Sequence, residues 1–132
     1  MAKDHFSVLV VEQVFSWTDP DGTRTIDFYI DPLLTGIIDG SIPFDTAEVV
    51  IDPVWVKEWL VKRDLDPVHL GSLTDDQIDT PVLGAWMEDG SVLLIDGSHR
   101  YMARYILAKP TVRYFLLGKD AWQKHAVIVR NA

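Results

Sequence analysis

The sequence predicts a mixed α+β fold in a single small domain. Short β-rich runs alternate with segments of helical spacing, no repeat or low-complexity tract divides the chain, and 132 residues is about the length of one domain. Hydrophobic residues make up 48% of the chain and charged residues 24%, a composition that argues against disorder and allows an ordinary buried core.

The N-terminal part predicts a β-hairpin. Residues 6–11 are β-rich, the Asp-Pro-Asp-Gly run at residues 19–22 is typical of a turn, and residues 25–30 resume a strand that alternates apolar and polar side chains. Residues 33–44 contain two glycines and a proline, so we expect this stretch to be irregular or briefly helical.

A helix is predicted after a short strand at residues 46–51. Asp52 is a typical N-cap and Pro53 a typical first helical residue, and apolar side chains follow at near-helical spacing as far as Lys62. Residues 64–80 carry a proline, a glycine and an acidic stretch, and are expected to form a connection or one short helix.

The C-terminal half predicts a second hairpin and then alternating helices and strands. Two apolar runs flank a turn that contains Asp-Gly, which is the strongest short-range hairpin signal. The predicted elements are a hairpin over residues 81–95, a helix over 99–109, a strand over 111–117, a short helix over 119–125 and a last strand over 127–129.

The absence of cysteine excludes several kinds of chemistry. A chain without cysteine has no disulfides, no thiolate metal site and no cysteine nucleophile, and this composition favours a reducing compartment. No apolar run approaches the roughly 18 residues of a membrane-spanning helix, and no secretory signal stands at the N-terminus. We therefore expect a cytoplasmic protein with no membrane partner.

The charge is distributed unevenly along the chain. Residues 1–96 carry 19 of the 20 acidic and 5 of the 12 basic residues, a net charge of −14, whereas residues 97–132 carry 7 basic residues and one acidic residue, a net charge of +6. Such a local reversal favours an anionic ligand, because nearby charges dominate within a Debye length of about 8–10 Å. Solvated lysines and arginines on a strand and a helix would produce the same pattern.

The run "LLIDGSHRYMARY" at residues 93–105 predicts an anion site. A strand that ends at a glycine and leads into a helix leaves backbone N–H groups unpaired at the positive end of the helix dipole. Gly97 permits close approach, Ser98 can cap the helix or donate to a phosphate, and His99 and Arg100 add further donors. The four histidines show no metal-ligand spacing, so phosphate suits this run better than a metal.

Each of these residues also has an ordinary structural interpretation. Ser98 is expected to be an N-cap whether or not it binds a ligand, and Asp96 would simply end the strand and hydrogen-bond the turn. His99 would be a surface residue, and Arg100 and Arg104 would be solvated or paired with acidic residues. The local pattern alone leaves the two interpretations open.

The same run, preceded by "TPVLGAWMEDGSV" and followed by "TVRYFLL", resembles the ParB/sulfiredoxin superfamily. The upstream stretch "IDPVWVKEWLVKR" is similar to a helix of these domains, so the resemblance covers roughly residues 50–118. It implies one domain over residues 1–132, in which residues 46–132 form a ParB/sulfiredoxin-like core with a mixed sheet and helices packed around it, preceded by the N-terminal hairpin at residues 1–45.

The resemblance also implies a site and a cofactor. Members bind nucleotide phosphates at the corresponding turn, so the ligand expected is ATP or another NTP with Mg²⁺. Asp96 and His99 are the candidate catalytic residues, with Glu48 and Asp52 as other candidates for the base. The phosphate-binding set consists of Pro81, Gly97, Ser98, His99, Arg100 and Arg104.

Departures from the family pattern restrict the function. Sulfiredoxins have a cysteine where this chain has Ser98, so sulfinic-acid repair through a thiol is excluded. Partition proteins have Glu-Arg-Arg in place of Ser-His-Arg, and the helix-turn-helix portion of those proteins is missing here. The branch that the Asp-Gly-x-His-Arg pattern resembles most is the kinase-like or nucleotide-hydrolysing one.

Three functions are compatible with the sequence. The first is a nucleotide-binding protein that acts as an NTP-dependent phosphotransferase or NTPase. The second is a non-catalytic protein-interaction module with a vestigial nucleotide pocket, which would contact a protein partner through the N-terminal hairpin; an exposed tryptophan would support it. The third is a DNA-binding protein or nuclease, which the net charge of −14 over residues 1–96 disfavours.

Overall fold

Two β-sheets, each with its own helices, make up the structure, a computed structural model that describes residues 13–131. The contacts divide the described residues into two units, one formed by those up to residue 42 and from residue 123 onward and the other by residues 43–122. The predicted α+β class is confirmed, and the sheet of the second unit is mixed, as expected.

The first unit contains an antiparallel three-stranded sheet in the order β1-β2-β7. Its strands are β1 (Val14–Thr18), β2 (Arg24–Tyr29) and β7 (Val127–Arg130). The predicted hairpin turn is present between β1 and β2, where the Asp19 N–H donates to the Arg24 carbonyl at 2.9 Å. The strand predicted at residues 6–11 lies outside the described residues.

Strand β7 completes this sheet by pairing with β2. Ile26 stands opposite Ile128, and the Asn131 side-chain amide donates to the Gly22 carbonyl at 3.0 Å. Residues 127–129 were predicted to belong to the core formed by residues 46–132, whereas they pair with the second strand of the hairpin. Pairing between strands about 100 residues apart leaves no local signal in the sequence.

The stretch expected to be irregular or briefly helical is helical over residues 33–39 and not helical over residues 40–44, and the helix begins before it. Helix α1 (Ile30–Asp39) has ten residues and ends at Gly40, whose φ of +83° is typical of a helix terminator. Gly36 lies inside the helix, at a position where a side chain would collide with Ile42. Its presence is explained by close packing and does not mark a break in the helix.

The second unit contains a four-stranded sheet in the order β3-β6-β4-β5. Its strands are β3 (Asp45–Val50), β4 (Val82–Trp86), β5 (Val92–Asp96) and β6 (Thr111–Leu117). Strands β4 and β6 are parallel, and the other two pairings are antiparallel. The predicted second hairpin is β4 and β5, and both predicted strands at residues 46–51 and 111–117 are present.

Short helices lie between these strands or follow the last of them along the chain. They are α2 (Pro53–Glu58), followed by a 3₁₀ turn (Leu60–Lys62), then α3 (Pro67–Ser72), α4 (Asp75–Asp79), α5 (Ser98–Ile106) and α6 (Lys119–His125). Asp52 caps α2 as predicted, while residues 64–80 form two helices in place of one. Within residues 13–131, no helix is both long and apolar enough to cross a bilayer.

Helix α5 is held against the sheet by a buried apolar cluster. Tyr101 and Met102 of α5 are buried together with Val82 and Leu94 of the β4–β5 hairpin. The other buried members come from β6, α2 and the segments beside them: Ile51, Val56, Leu60, Val112, Tyr114 and Leu116. Burial of these side chains fixes the start of α5 beside the end of β5, which positions the predicted site.

Candidate functional site

The predicted site is the turn between β5 and α5. Gly97 adopts φ +103° and ψ 24°, in the left-handed region, and is the N-cap of α5, its carbonyl accepting from the Tyr101 N–H at 2.9 Å. A Cβ atom at Gly97 would lie 2.6 Å from Val82 Cγ1 and 2.9 Å from Arg100 Nη2. Both the backbone conformation and the available space therefore require glycine at this position.

The expectation that Ser98 caps α5 is wrong. Gly97 occupies the cap, no side-chain capping bond is present, and Ser98 is the first helical residue. The Ser98 hydroxyl oxygen instead lies 3.3 Å from Arg63 Nη1, which donates to it. Gly97 occupies the N-cap position, which is the position from which a serine hydroxyl would accept from an N–H group of the first helical turn.

The first turn of α5 presents backbone donors. In any α-helix the first N–H groups have no acceptor within the helix, and the dipole adds partial positive charge at this end. Here those groups belong to Ser98, His99 and Arg100, in a helix of nine residues. Val82 and Arg100 occupy the space that a side chain of Gly97 would fill, so the Arg100 guanidinium lies next to the start of the helix.

Arg100 forms an ion pair next to this turn. Its Nη2 lies 3.3 Å from Asp96 Oδ2, and both side chains are about one-fifth exposed. The same nitrogen lies close to Gly97, since a Cβ atom at that residue would stand 2.9 Å from it. Arg100 is thus placed beside the turn. A phosphate bound there would compete with Asp96 for the guanidinium, and Asp96 would have to give up its ion pair with Arg100 to act as a base.

His99 contacts helix α3 in the described structure. Its Nε2 accepts a hydrogen bond from the Asp66 backbone N–H at 2.8 Å. The His99 ring also packs edge-on against His69, with ring centroids 4.6 Å apart and an interplanar angle of 85°. The Nε2 lone pair that a catalytic base would use is therefore engaged with Asp66 here, and Nε2 carries no hydrogen to donate to a phosphate.

Arg104 connects three elements of the second unit. Its Nε donates to the Thr111 carbonyl at 2.6 Å, and its Nη1 lies 2.8 Å from Asp79 Oδ1. The first contact reaches β6 and the second reaches α4. Pro81 is the remaining member of the predicted phosphate-binding set and comes directly before β4. Its neighbour Val82 packs against Gly97 of the turn.

Arg63 belongs to this neighbourhood, although the sequence analysis did not select it. It follows the 3₁₀ turn after α2, and it reaches Ser98 across 35 positions of the chain. Partial burial lowers the pKa of the Arg63 guanidinium, and burial raises the pKa of the neighbouring Tyr114 phenol above its usual range. Nothing in the local pattern around residue 63 signals a contact this distant.

The other candidate bases have structural partners of their own. Glu48 accepts from the Thr111 hydroxyl at 2.7 Å, and Asp52 accepts from the Val54 N–H at 2.9 Å as the cap of α2. In the part of the chain that the structure describes, no group of three or more histidine, aspartate or glutamate side chains is arranged to hold a metal ion.

Comparisons with known proteins add no family to these observations. The chain matches no protein-family model, no curated protein and no solved structure. The chemistry of the β5–α5 turn accordingly rests on the residues described above.

Proposed function

We propose that this chain binds the phosphate groups of a nucleotide at the β5–α5 turn. The observation that carries the proposal is the strand–glycine–helix turn: the left-handed Gly97 follows β5 and starts α5, whose first-turn N–H groups have no acceptor within the helix. This is the local geometry that anion-binding helix starts use. The resemblance of residues 93–105 to the ParB/sulfiredoxin turn leads to the same ligand class.

Two guanidinium groups support an anionic ligand at this position. Arg63 donates to the Ser98 hydroxyl, and Arg100 lies beside Gly97. Arginine binds phosphate through charge-assisted and often bidentate hydrogen bonds. Since Asp96 holds Arg100 in the ligand-free protein, binding would exchange a carboxylate partner for a phosphate partner.

The described residues fit the phosphates of ATP or another NTP better than they fit a directly bound Mg²⁺ ion. The turn supplies donors to phosphate oxygens, while no cluster of three carboxylate or imidazole side chains is arranged for a metal within residues 13–131. When bound, Mg²⁺ neutralises phosphate charge, and it commonly keeps several water ligands. The protein's own part would be to bind and orient the phosphates.

A phosphotransferase or NTPase activity is a further step of the same proposal. Phosphoryl transfer depends mainly on positioning and on neutralising charge, which the turn, Arg63 and Arg100 would contribute. Asp96 and His99 are the nearest candidates for a base, and each would first have to leave its present partner, Arg100 or Asp66.

Calorimetry of the whole chain with ATP, ADP, CTP and GTP, with and without Mg²⁺, tests the proposal. Arg100→Gln should weaken the binding of a nucleotide about tenfold or more, because a charge-assisted bond contributes more than about 1.4 kcal/mol. Lys109→Gln is the matched control. Lys109 is exposed and lies after the end of α5, and its substitution removes the same single positive charge. Equal weakening by the two variants would indicate only a general charge effect, and no binding of any nucleotide would refute the proposal.

A protein-interaction module is the second candidate, and Trp59 is the observation that favours it. Trp59 follows α2 and is 60% exposed, with the Lys62 amine 5.1 Å from its ring centroid. Tryptophan is one of the most frequent anchors of protein interfaces. This candidate does not require a nucleotide.

Capture experiments with Trp59→Ser distinguish this second function. A partner retained by the wild type should be lost with Trp59→Ser and kept with Val68→Ser, because Val68 is 80% exposed on a different helix. Loss of the partner with both variants would indicate non-specific apolar adhesion.

A further inference from the structure

The contact between His99 and Asp66 joins two helices that are distant in the sequence. His99 lies in the first turn of α5, and Asp66 is the N-cap of α3, 33 positions earlier. The Asp66 N–H donates to His99 Nε2 at 2.8 Å, while the Asp66 carboxylate accepts from the Val68 N–H at 3.0 Å. One residue therefore both starts α3 and anchors it to α5.

This hydrogen bond fixes the protonation state of the imidazole. A ring nitrogen that accepts a hydrogen bond carries no hydrogen, so the neutral His99 ring must hold its proton on Nδ1. An imidazolium carries hydrogen on both nitrogens and cannot accept from an N–H group. Proton uptake by His99 is thus incompatible with the bond to Asp66.

A second histidine, in the helix that Asp66 caps, also contacts His99. His69 of α3 packs edge-on against His99, with ring centroids 4.6 Å apart. If both rings took up a proton, two positive charges would stand next to each other, and like charges at this separation repel. Acidification would therefore weaken the α3–α5 contact through both rings.

The elements packed against α5 bring other charged and titratable groups. They are Asp66 of α3, Arg63 bonded to Ser98, Arg113 and Tyr114 of β6, and the ion pairs Asp96–Arg100 and Asp79–Arg104. Histidine is the side chain whose charge ordinarily changes between about pH 5 and 8. Of the groups named here, His99 is the one whose protonation removes the acceptor of the Asp66 N–H.

We propose that His99 is a proton-operated latch that holds the start of α3 against α5 when neutral and releases it when protonated. The contact is made in the protein alone, so the latch operates without a ligand. Release would free the Asp66 N–H and the His99 ring together, while the apolar cluster beneath α5 would stay in place.

Nuclear magnetic resonance of the ligand-free whole chain tests the latch. At pH 8 the ring nitrogens of His99 should show the Nδ1–H tautomer, and on titration to pH 5 the Asp66 amide resonance should move together with the His99 ring signals. Finding the Nε2–H tautomer for His99 at pH 8 would overturn the proposal, and this measurement requires no variant.

Substitution of the acceptor gives a second test. His99→Gln places an uncharged carbonyl oxygen near the position of Nε2, so the Asp66 amide resonance should keep its bonded position from pH 8 to pH 5. His69→Gln should retain the Asp66 response, because that variant removes only the ring contact. The same movement of the Asp66 resonance in His99→Gln as in the wild type would overturn the proposal.

Discussion

Gly97 and Val82 lie so close together that a Cβ atom on Gly97 would stand only 2.6 Å from Val82 Cγ1. Val82 cannot move aside easily, because it is fully buried at the start of β4 and is paired with Tyr114 of β6. The φ of +103° at Gly97 is a second, independent requirement for glycine. The start of α5 is therefore fixed by both the backbone and the packing.

Replacing Gly97 by alanine should lower the free energy of unfolding by about 1–3 kcal/mol, since a side chain at positive φ is strained and this one also collides with β4. Urea unfolding followed by tryptophan fluorescence measures the effect. The substitution should also weaken nucleotide binding if the proposed site is correct.

Gly71→Ala is the control for this prediction. Gly71 lies within helix α3, and a Cβ atom there meets nothing within 4 Å. Alanine should leave stability unchanged or raise it by up to about 1 kcal/mol, because alanine favours a helix more than glycine does. An identical unfolding midpoint for Gly97→Ala and the wild type would show that the turn tolerates a side chain.

The sequence predicted those features whose cause is local. The Asp52-Pro53 start of α2 depends on two adjacent residues, and the hairpin turns depend on four, so both were found at the correct positions. The α+β class followed from the same local signals. The full extent of helix α1 was not predicted, because Gly36 looks like a helix breaker unless its contact with Ile42 is known.

The arrangement of the candidate site was less accessible to prediction. Glycine and serine stand side by side at residues 97 and 98, and the pattern does not tell which one caps the helix; the packing of Gly97 against Val82 decides it. The contacts that Arg63 and Asp66 make with α5 span more than 30 positions. Such contacts depend on the topology of the whole unit.

Thr74→Ala should destabilise the protein more than Ser98→Ala. Thr74 forms a capping box at α4, in which its hydroxyl accepts from the Gln77 N–H at 3.2 Å and the Gln77 side chain accepts from the Thr74 N–H at 2.8 Å. Loss of a cap costs about 1 kcal/mol. Ser98 makes no capping bond, so its removal loses only the 3.3 Å contact with Arg63. Chemical unfolding of both variants measures the difference, and a larger loss for Ser98→Ala would contradict the assignment of Gly97 as the cap.

Arg104→Ala should lower the free energy of unfolding by about 1–3 kcal/mol, because it leaves the Thr111 carbonyl and the Asp79 carboxylate without their partner. Lys109→Ala, at an exposed position after α5, should change stability by less than about 0.5 kcal/mol. The two variants are compared by thermal unfolding and by nucleotide calorimetry. If Arg104→Ala unfolds like the wild type but loses nucleotide affinity, the hypothesis that Arg104 contacts phosphate is favoured over a structural role.

Tyr114 should make the protein less stable at alkaline pH. Burial raises the pKa of the Tyr114 phenol above the ordinary tyrosine value of about 10, so the folded protein retains this proton to higher pH than the unfolded chain does. Its contribution to stability is therefore complete below about pH 10 and is lost progressively as the pH rises above that value. Tyr114→Phe should show a smaller loss of stability between pH 9 and 11 than the wild type, as measured by urea unfolding. Equal slopes for Tyr114→Phe and the wild type would mean that Tyr114 ionises equally easily in both states.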